Sequence, residues 1–334
     1  MLDERKSAIL RRVVAEHIET GQPVGSSHVV RDGAVDVSSA TVRADMASLE
    51  RDGYLTHPHT SAGRVPTDLG YRFYVDHLEH ESGLDPIGAQ RVDQFFATAH
   101  GELERMLKDT SQLLAGLTDY AAVVMAPTHE ALTIVSLFLT RLAEQIGLLV
   151  LIFSNGAIDK YVVDLDDEMA DEVVDKAMAV LRDQLSGAAL GHMPDKSPSG
   201  HQAVDRLVEE CLEAISSSSP SEPATDVYVG GTARMAEQFE AVNTVREVLS
   251  ILEQSLVVVS LLSDTLTRAQ SVSIGGETGV ASLAECSIVV APYEVDDEVA
   301  GAIGVLGPTR MNYAHALAAV AVVSQRLGRQ LSAG

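Results

Sequence analysis

The sequence predicts an α+β fold: a small helical head, then a body in which strands give way mostly to helices and return as strands. Three observations carry this prediction. Apolar residues recur at helical spacing through the first eighty residues, strand-like aliphatic stretches cluster from Leu132 to Leu165 and again from Leu256 to Leu306, and the segment between them is mainly helical. That order marks a domain split by an insertion. A chain of 334 residues, 46% of them hydrophobic, can bury a sizeable core and holds two or three domains.

In the head, Asp3 can cap a helix whose apolar face is Ile9, Leu10, Val13, Val14 and Ile18, ending at Gly21 ahead of Pro23. Ser26 or Ser27 caps a short helix around His28 to Arg31, and Gly33 breaks it. The third helix runs from Ser38 to Gly53, opened by serines and closed by a glycine able to turn left-handed. Val42, Met46 and Leu49 form its inward stripe. Ala40, Ala44, Ala47 and Arg51 face the opposite way, with Arg43 beside them and Glu50 nearer the inner edge. Small side chains let a helix backbone approach another surface, and arginines at the rim suit phosphates or the acceptor edge of guanine in a major groove. An ordinary surface helix rich in alanine for its propensity shows the same pattern.

After Gly53, residues 54–66 read as a hairpin with a Ser61-Ala62-Gly63 tip and Arg64 on the returning arm. Thr67 then caps a helix carrying Tyr71, Phe73, Tyr74, Val75 and Leu78. Three helices followed by such a hairpin make a winged helix-turn-helix, in which Arg64 reaches a phosphate or the minor groove. His57 and His59, two residues apart with no third ligand, read as polar wing residues rather than a metal site.

In the body, Asp85-Pro86 can start one long helix with Val92, Phe96, Ala99, Leu103, Met106, Thr110, Leu113 and Leu117 at alternating spacings of four and three; Phe95, Leu107 and Leu114 widen that stripe. Strands are expected at Leu132 to Leu139, Ile146 to Phe153 and Ile158 to Leu165, the last two joined by Ser154-Asn155-Gly156. An acidic helix carrying Met169, Val173, Ala177, Val180 and Leu181 follows, then helices over Val204 to Ile215 and Asn243 to Glu253, with a serine-rich linker at Ser216 to Pro223. Strands return at Leu256 to Leu262, Val272 to Ile274, Ile288 to Tyr293 and Gly301 to Leu306 before a final helix with Leu317, Val320, Val323 and Leu327. The Gly230-Gly231 and Gly275-Gly276 stretches lack the Lys-Ser/Thr of a phosphate loop and read as turns.

Composition narrows the function classes. The formal charge of −24 argues against a protein that coats nucleic acid generally, but residues 1–75 hold nine Lys and Arg against ten Asp and Glu, leaving −23 for the rest. A nearly neutral head can approach a polyanion while an acidic body stays clear of it. Cys211 and Cys286 have no Cys-x-x-Cys spacing, and the longest aliphatic run, Ile146 to Phe153, is too short to span a bilayer. A soluble cytoplasmic protein is expected, with no membrane partner. The acidic clusters at 166–168 and 296–298 are explained by helix starts and turns, and no nucleophile, base and orienting group converge. The expectation is not an enzyme: no catalytic residue, cofactor or metal.

Certain motifs add a resemblance. The run Thr20 to Ser26, the run Ser38-Ser39-Ala40-Thr41-Val42-Arg43, and above all Pro58-His59-Thr60-Ser61-Ala62-Gly63-Arg64-Val65-Pro66-Thr67 with Gly70-Tyr71-Arg72 resemble the bacterial heat-inducible transcription repressor family HrcA, in its actinobacterial form. Gly304-Val305-Leu306-Gly307-Pro308-Thr309-Arg310-Met311-Asn312-Tyr313 resembles that family's C-terminal signature, so the likeness runs from end to end. It departs at Ala44, where the family pattern usually has Asn, and at Ser27, where lysine is common. The resemblance implies a winged helix-turn-helix at 1–80, a linking helix at 81–118, a GAF-like antiparallel sheet domain at 119–165 and 262–334, and an inserted dimerisation domain at 166–261. It also implies a homodimeric repressor of chaperone operons that binds an inverted-repeat, double-stranded DNA operator and is modulated by a GroEL-type chaperonin. The DNA-binding residues would be Ser39, Thr41, Arg43, Ala44 and Arg51 of the third helix, with His59, Thr60, Ser61 and Arg64 of the wing. The alternative is a winged-helix regulator whose GAF-like domain senses a small ligand.

Overall fold

The structure is a computed structural model that describes residues 2–31, 37–58, 63–78, 83–98, 103–127, 133–143, 145–153, 158–166, 169–188, 199–217, 227–239, 242–267, 271–296 and 298–332. It is a mixed α+β fold with antiparallel sheets. The head contains α1 (Glu4–Thr20), α2 (Ser26–Arg31), α3 (Ser39–Arg51), β1 (Leu55–Thr56), β2 (Val65–Pro66) and α4 (Asp68–Asp76). Local chemistry sets these boundaries. The Asp3 carboxylate accepts from Lys6 N at 2.8 Å, and Gly21, at φ +67°, ends α1 by donating to His17 O. Thr67 caps α4 by accepting from Gly70 N at 3.3 Å. Gly70 has no tolerance for a side chain, because a Cβ there would lie 2.3 Å from the Tyr54 carbonyl oxygen.

The body begins with α5 (Pro86–Thr98) and α6 (Leu103–Thr118). The sequence suggests one long helix here, but the two fold back on each other: Arg91 Nη1 donates to Gly116 O at 3.2 Å. Doubling back centres the buried face of α6 on Leu107, Thr110, Ser111, Leu114 and Ala115, so of the expected seam positions in this helix only Thr110 is fully buried, while Leu107 and Leu114, which widen the stripe, take the core. Next comes β3 (Ala121–Met125), a strand that the sequence reading lacks. All five of its residues are buried, so no alternation betrays it. It lies inside a five-stranded sheet of order β7-β3-β10-β9-β8, with β7 (Val227–Gly230), β8 (Val272–Ile274), β9 (Cys286–Val295) and β10 (Glu298–Pro308), every pair antiparallel. Successive residues face opposite layers. Ala122, Val124, Ile303 and Val305 pack toward α12 (Tyr313–Ser332), α5, α6 and the head in one continuous core. Ala121, Val123, Met125, Ala302 and Leu306 pack toward α9 (Thr232–Glu237), α10 (Val242–Leu252) and α11 (Ser255–Thr267).

The α11 segment corrects the strand expected at Leu256 to Leu262. Its run of Val and Leu favours a strand by propensity, yet Val258, Leu261, Leu262 and Thr265 are the buried positions, at helical spacing. Between β3 and β7, β4 (Ile134–Ala143), β5 (Ile146–Phe153) and β6 (Ile158–Asp164) form a separate sheet in the order β4-β5-β6, with α7 (Asp171–Leu185) and α8 (Gln202–Ser217) covering one face. This unit has its own core, which includes Cys211. The division between the cores therefore differs from the expected one: β4 to β6 lie with α7 and α8, whereas β7 and α9 to α11 lie with the large sheet. Among the described residues, no helix is long and apolar enough to cross a membrane.

Head and body meet along α4. Arg72 Nε donates to Glu277 Oε1 at 2.9 Å, its Nη2 pairs with Glu277 Oε2, and the same nitrogen donates to Val272 O at 2.8 Å. Asp68 accepts from Gly276 N at 3.1 Å. The Gly275–Thr278 turn, which leaves no room for a Cβ at Gly275, is thus filled by a carboxylate of the head itself. Arg72→Ala is expected to cost about 2 kcal/mol in chemical denaturation, since it strips charge-assisted hydrogen bonds from half-buried groups. Asp76→Ala, which removes only an exposed partner at 3.4 Å, should stay within about 0.5 kcal/mol. Equal effects from the two substitutions would mean that the Glu277 contact does not hold the seam.

Candidate nucleic-acid interface

The structure turns one face of α3 to the core and leaves a strip outside. Ser38 Oγ caps the helix by accepting from Thr41 N at 3.2 Å. Val42, Met46 and Leu49 are buried, and so is Asp45, which Arg5 holds through Nε at 2.9 Å. Ala40, Arg43, Ala44 and Arg51 are exposed, and Ala47 is half-buried. Arg43 and Arg51 have no ion-pair partner among the described residues. They stand eight residues apart, about 12 Å along the helix axis. A strip of small side chains between two unpaired guanidinium groups is sterically able to approach a groove, with positive charge to meet phosphates or guanine edges.

The hydroxyls expected to help are engaged within the head. Ser39 Oγ lies 2.9 Å from Ser26 Oγ, tying α3 to α2, and Thr41 Oγ1 lies 2.9 Å from the capping Ser38 Oγ. Ala44 is exposed on the outer strip, where it offers no amide to a base. His59, Thr60 and Ser61 lie outside the described residues.

The base of the hairpin is held on two sides. β1 and β2 pair in the register Leu55 to Pro66 and Thr56 to Val65, and Arg64 extends the ladder through N–H and C=O bonds to Val24 at 2.9 and 2.8 Å. The Arg64 side chain does not project freely. Its Nη2 lies 2.8 Å from Glu50 Oε2, while His57 Nδ1 meets Glu50 Oε1. Burial alone would raise the Glu50 carboxyl above its ordinary value, but the hydrogen bond from His57 and the charge of Arg64 outweigh it, so its pKa is lowered. Helical periodicity puts Glu50 near the inner edge of α3 but does not reveal its partners. Its role as a clamp on the hairpin joins residues 50, 57 and 64 in space, and only the β1–β2 register brings them together.

The contacts that anchor the head also join residues distant in sequence. Tyr71 OH lies 3.0 Å from His17 Nδ1, and the Tyr71 and Tyr313 rings have centroids 6.1 Å apart. Burial, with Arg310 nearby, lowers the His17 pKa. The signature residues Gly70-Tyr71-Arg72 and Thr309-Arg310-Met311-Asn312-Tyr313 thus flank the same seam.

Known proteins match over the whole of this arrangement. The model of the HrcA protein C terminal domain matches residues 104–317. A heat-inducible transcription repressor HrcA from Symbiobacterium thermophilum is 32% identical over 334 residues, covering 98% of both chains, and its namesake from Nocardia farcinica is 36% identical over 341 residues, covering 99% of this chain and 97% of its own. The protein of that name from Nocardioides sp. is 36% identical, with both chains covered completely. A crystal structure of a protein described only as hypothetical shares the fold, with a TM-score of 0.66 at 21% identity over 100% of this chain and 99% of its own. With relatives above 30% identity from end to end, head and seam included, the chain belongs to the heat-inducible transcription repressor family HrcA.

Proposed function

We propose that this member of the family is a homodimeric, sequence-specific repressor that binds an inverted-repeat operator of chaperone operons and is released on heat or unfolded-protein stress. The observation that carries the reading is the exposed strip of α3 with its unpaired Arg43 and Arg51, beside a hairpin braced by Glu50. In this reading residues 1–80 are a winged helix-turn-helix, the five-stranded sheet with its helices is the GAF-like domain, and β4 to β6 with α7 and α8 are the inserted dimerisation domain. Arg43 and Arg51 read the groove, with Ser39, Thr41 and Ala44 close to the backbone, while His59, Thr60 and Ser61 form the wing tip.

An apolar sheet face supports the dimer. The face of β4–β6 opposite α7 and α8 presents Phe138 across from Val150, Leu148 across from Val162, and Ile152 across from Ile158. Phe138, Ile158 and Val162 are exposed. An apolar patch of this kind is costly in water and suits a self-complementary twofold contact. A need for chaperonin also has a physical motive. β3 pairs with β10, setting Ala122 opposite Val305 across more than half the chain, and such non-local pairing forms slowly and exposes apolar edges on the way.

The test is fluorescence anisotropy of the full chain on an inverted-repeat duplex and on a scrambled one, across a salt series, with and without chaperonin during refolding. Selective binding that chaperonin enhances is expected; binding indifferent to sequence overturns the reading. Arg43→Ala should cost about 1–3 kcal/mol and relax selectivity at one base position in each half-site. Glu50→Gln should act oppositely, because freeing Arg64 for a phosphate steepens the slope of log K against log salt by about 0.9. An unchanged slope would show that Arg64 stays off the DNA.

A further inference from the structure

A cavity of ≈ 340 Å³ opens at the seam, with walls from both parts of the chain. The head supplies Ile18 and Glu19 from the end of α1 and Tyr74 from α4, and the body supplies Tyr120, Arg310 and Asn312. Two opposite charges line this one space. The guanidinium of Arg310 donates through Nη2 to the Gln238 carbonyl at 2.9 Å, yet neither it nor Glu19 has an ion-pair partner among the described residues, so the two are not paired with each other. A half-buried arginine normally finds a carboxylate.

The remaining groups extend the pattern. Tyr74 makes no side-chain hydrogen bond among the described residues, and the Tyr120 hydroxyl, which accepts from Asn312 N at 2.8 Å, keeps its own proton to donate. These donors lie on the same cavity as Arg310. Glu19 belongs instead to the last turn of α1, where the carbonyl end of the helix also favours a cation. The lining thus offers a guanidinium and hydroxyl donors for a carboxylate and a carboxylate for an ammonium group, with Ala15 and Ile18 as apolar wall.

We propose that this seam cavity binds a zwitterion of the free amino-acid class, its carboxylate on Arg310 with the tyrosine hydroxyls and its ammonium group on Glu19. An occupant that touches both parts favours the docked head, so operator affinity and ligand affinity shift by the same factor. That coupling rests on the DNA-binding reading; the binding itself does not.

The experiment uses the full-length protein. The common amino acids, each at about 10 mM, are screened by the shift in melting temperature, and any that stabilise are titrated calorimetrically. At least one is expected to bind saturably, and its N-acetyl and methyl-ester forms, each lacking one charge, are expected to bind at least about tenfold more weakly. Glu19→Gln, an exposed substitution that leaves the core untouched, and Tyr74→Phe should each weaken binding, as should Arg310→Met. No saturable binding by any amino acid overturns the proposal, as does binding that the blocked forms match or that Glu19→Gln and Tyr74→Phe leave unchanged. Failure of the DNA-binding reading would show separately, as saturable calorimetric binding with no selective operator affinity.

Discussion

With aspartate at both Phe138 and Val162, the protein is expected to sediment as a folded monomer and to bind an inverted-repeat operator about 100-fold or more weakly than the parent chain, the loss that follows when two heads are no longer linked. Both side chains stand on the uncovered face of the small sheet, 47% and 65% exposed, so a charge there costs the isolated protomer little. In a dimer the same charges would be buried against apolar partners without a counter-ion, and association would be lost. Because the core of this unit lies on the opposite face, around Leu137, Leu149, Leu151 and Leu181, circular dichroism and melting of the protomer should be nearly unchanged. Sedimentation settles the point. A double variant that remains a dimer with full operator affinity would place the twofold contact elsewhere in the molecule.

Gly70→Ala is expected to destabilise the protein by roughly 3 kcal/mol, at the upper end for an overpacked core site. Alanine is otherwise a better helix former than glycine, so propensity alone predicts the opposite sign. The added methyl would sit 2.3 Å from the Tyr54 carbonyl oxygen, which is backbone and cannot rotate away, and 3.4 Å from Pro66. The clash forces α4 away from the hairpin, and with it Asp68 and Arg72 away from the Gly275–Thr278 turn. Operator binding should fall along with stability. The control is Gly83→Ala, where a methyl meets nothing within 4 Å and the change should stay within about 0.5 kcal/mol. Urea unfolding followed by circular dichroism compares the two. Similar midpoints would show that the hairpin tolerates a wider gap from α4.

The elements legible in the sequence are those whose determinants are local. Asp3, Ser38 and Thr67 cap their helices with their own side chains, and Gly21 ends α1 in the left-handed conformation, so four boundaries of the head follow from residues within four positions of each other. The outward strip of α3 is legible for the same reason, since helical periodicity assigns Ala40, Arg43, Ala44 and Arg51 to one side before any neighbour is known. The chemistry of the site is not local. Whether Arg64 is a free cation depends on Glu50, and whether Ser39 can donate outward depends on Ser26; each partner lies thirteen or fourteen positions away, across a turn.

The sequence by itself determined the class of fold, the caps and faces of the head helices, and, through its motifs, the family. Short-range forces decide these, because capping, periodicity and turn chemistry act over a few residues. Only the tertiary structure decided that the Leu256 to Leu262 stretch is helical, that Ala121–Met125 is a strand within the sheet, and that Pro86–Thr98 and Leu103–Thr118 fold back on each other as two helices. An apolar run without alternation satisfies strand and helix alike. Burial against a partner on the far side of the chain chooses between them, as it does for β3 between β7 and β10 and for α11 beneath the same sheet.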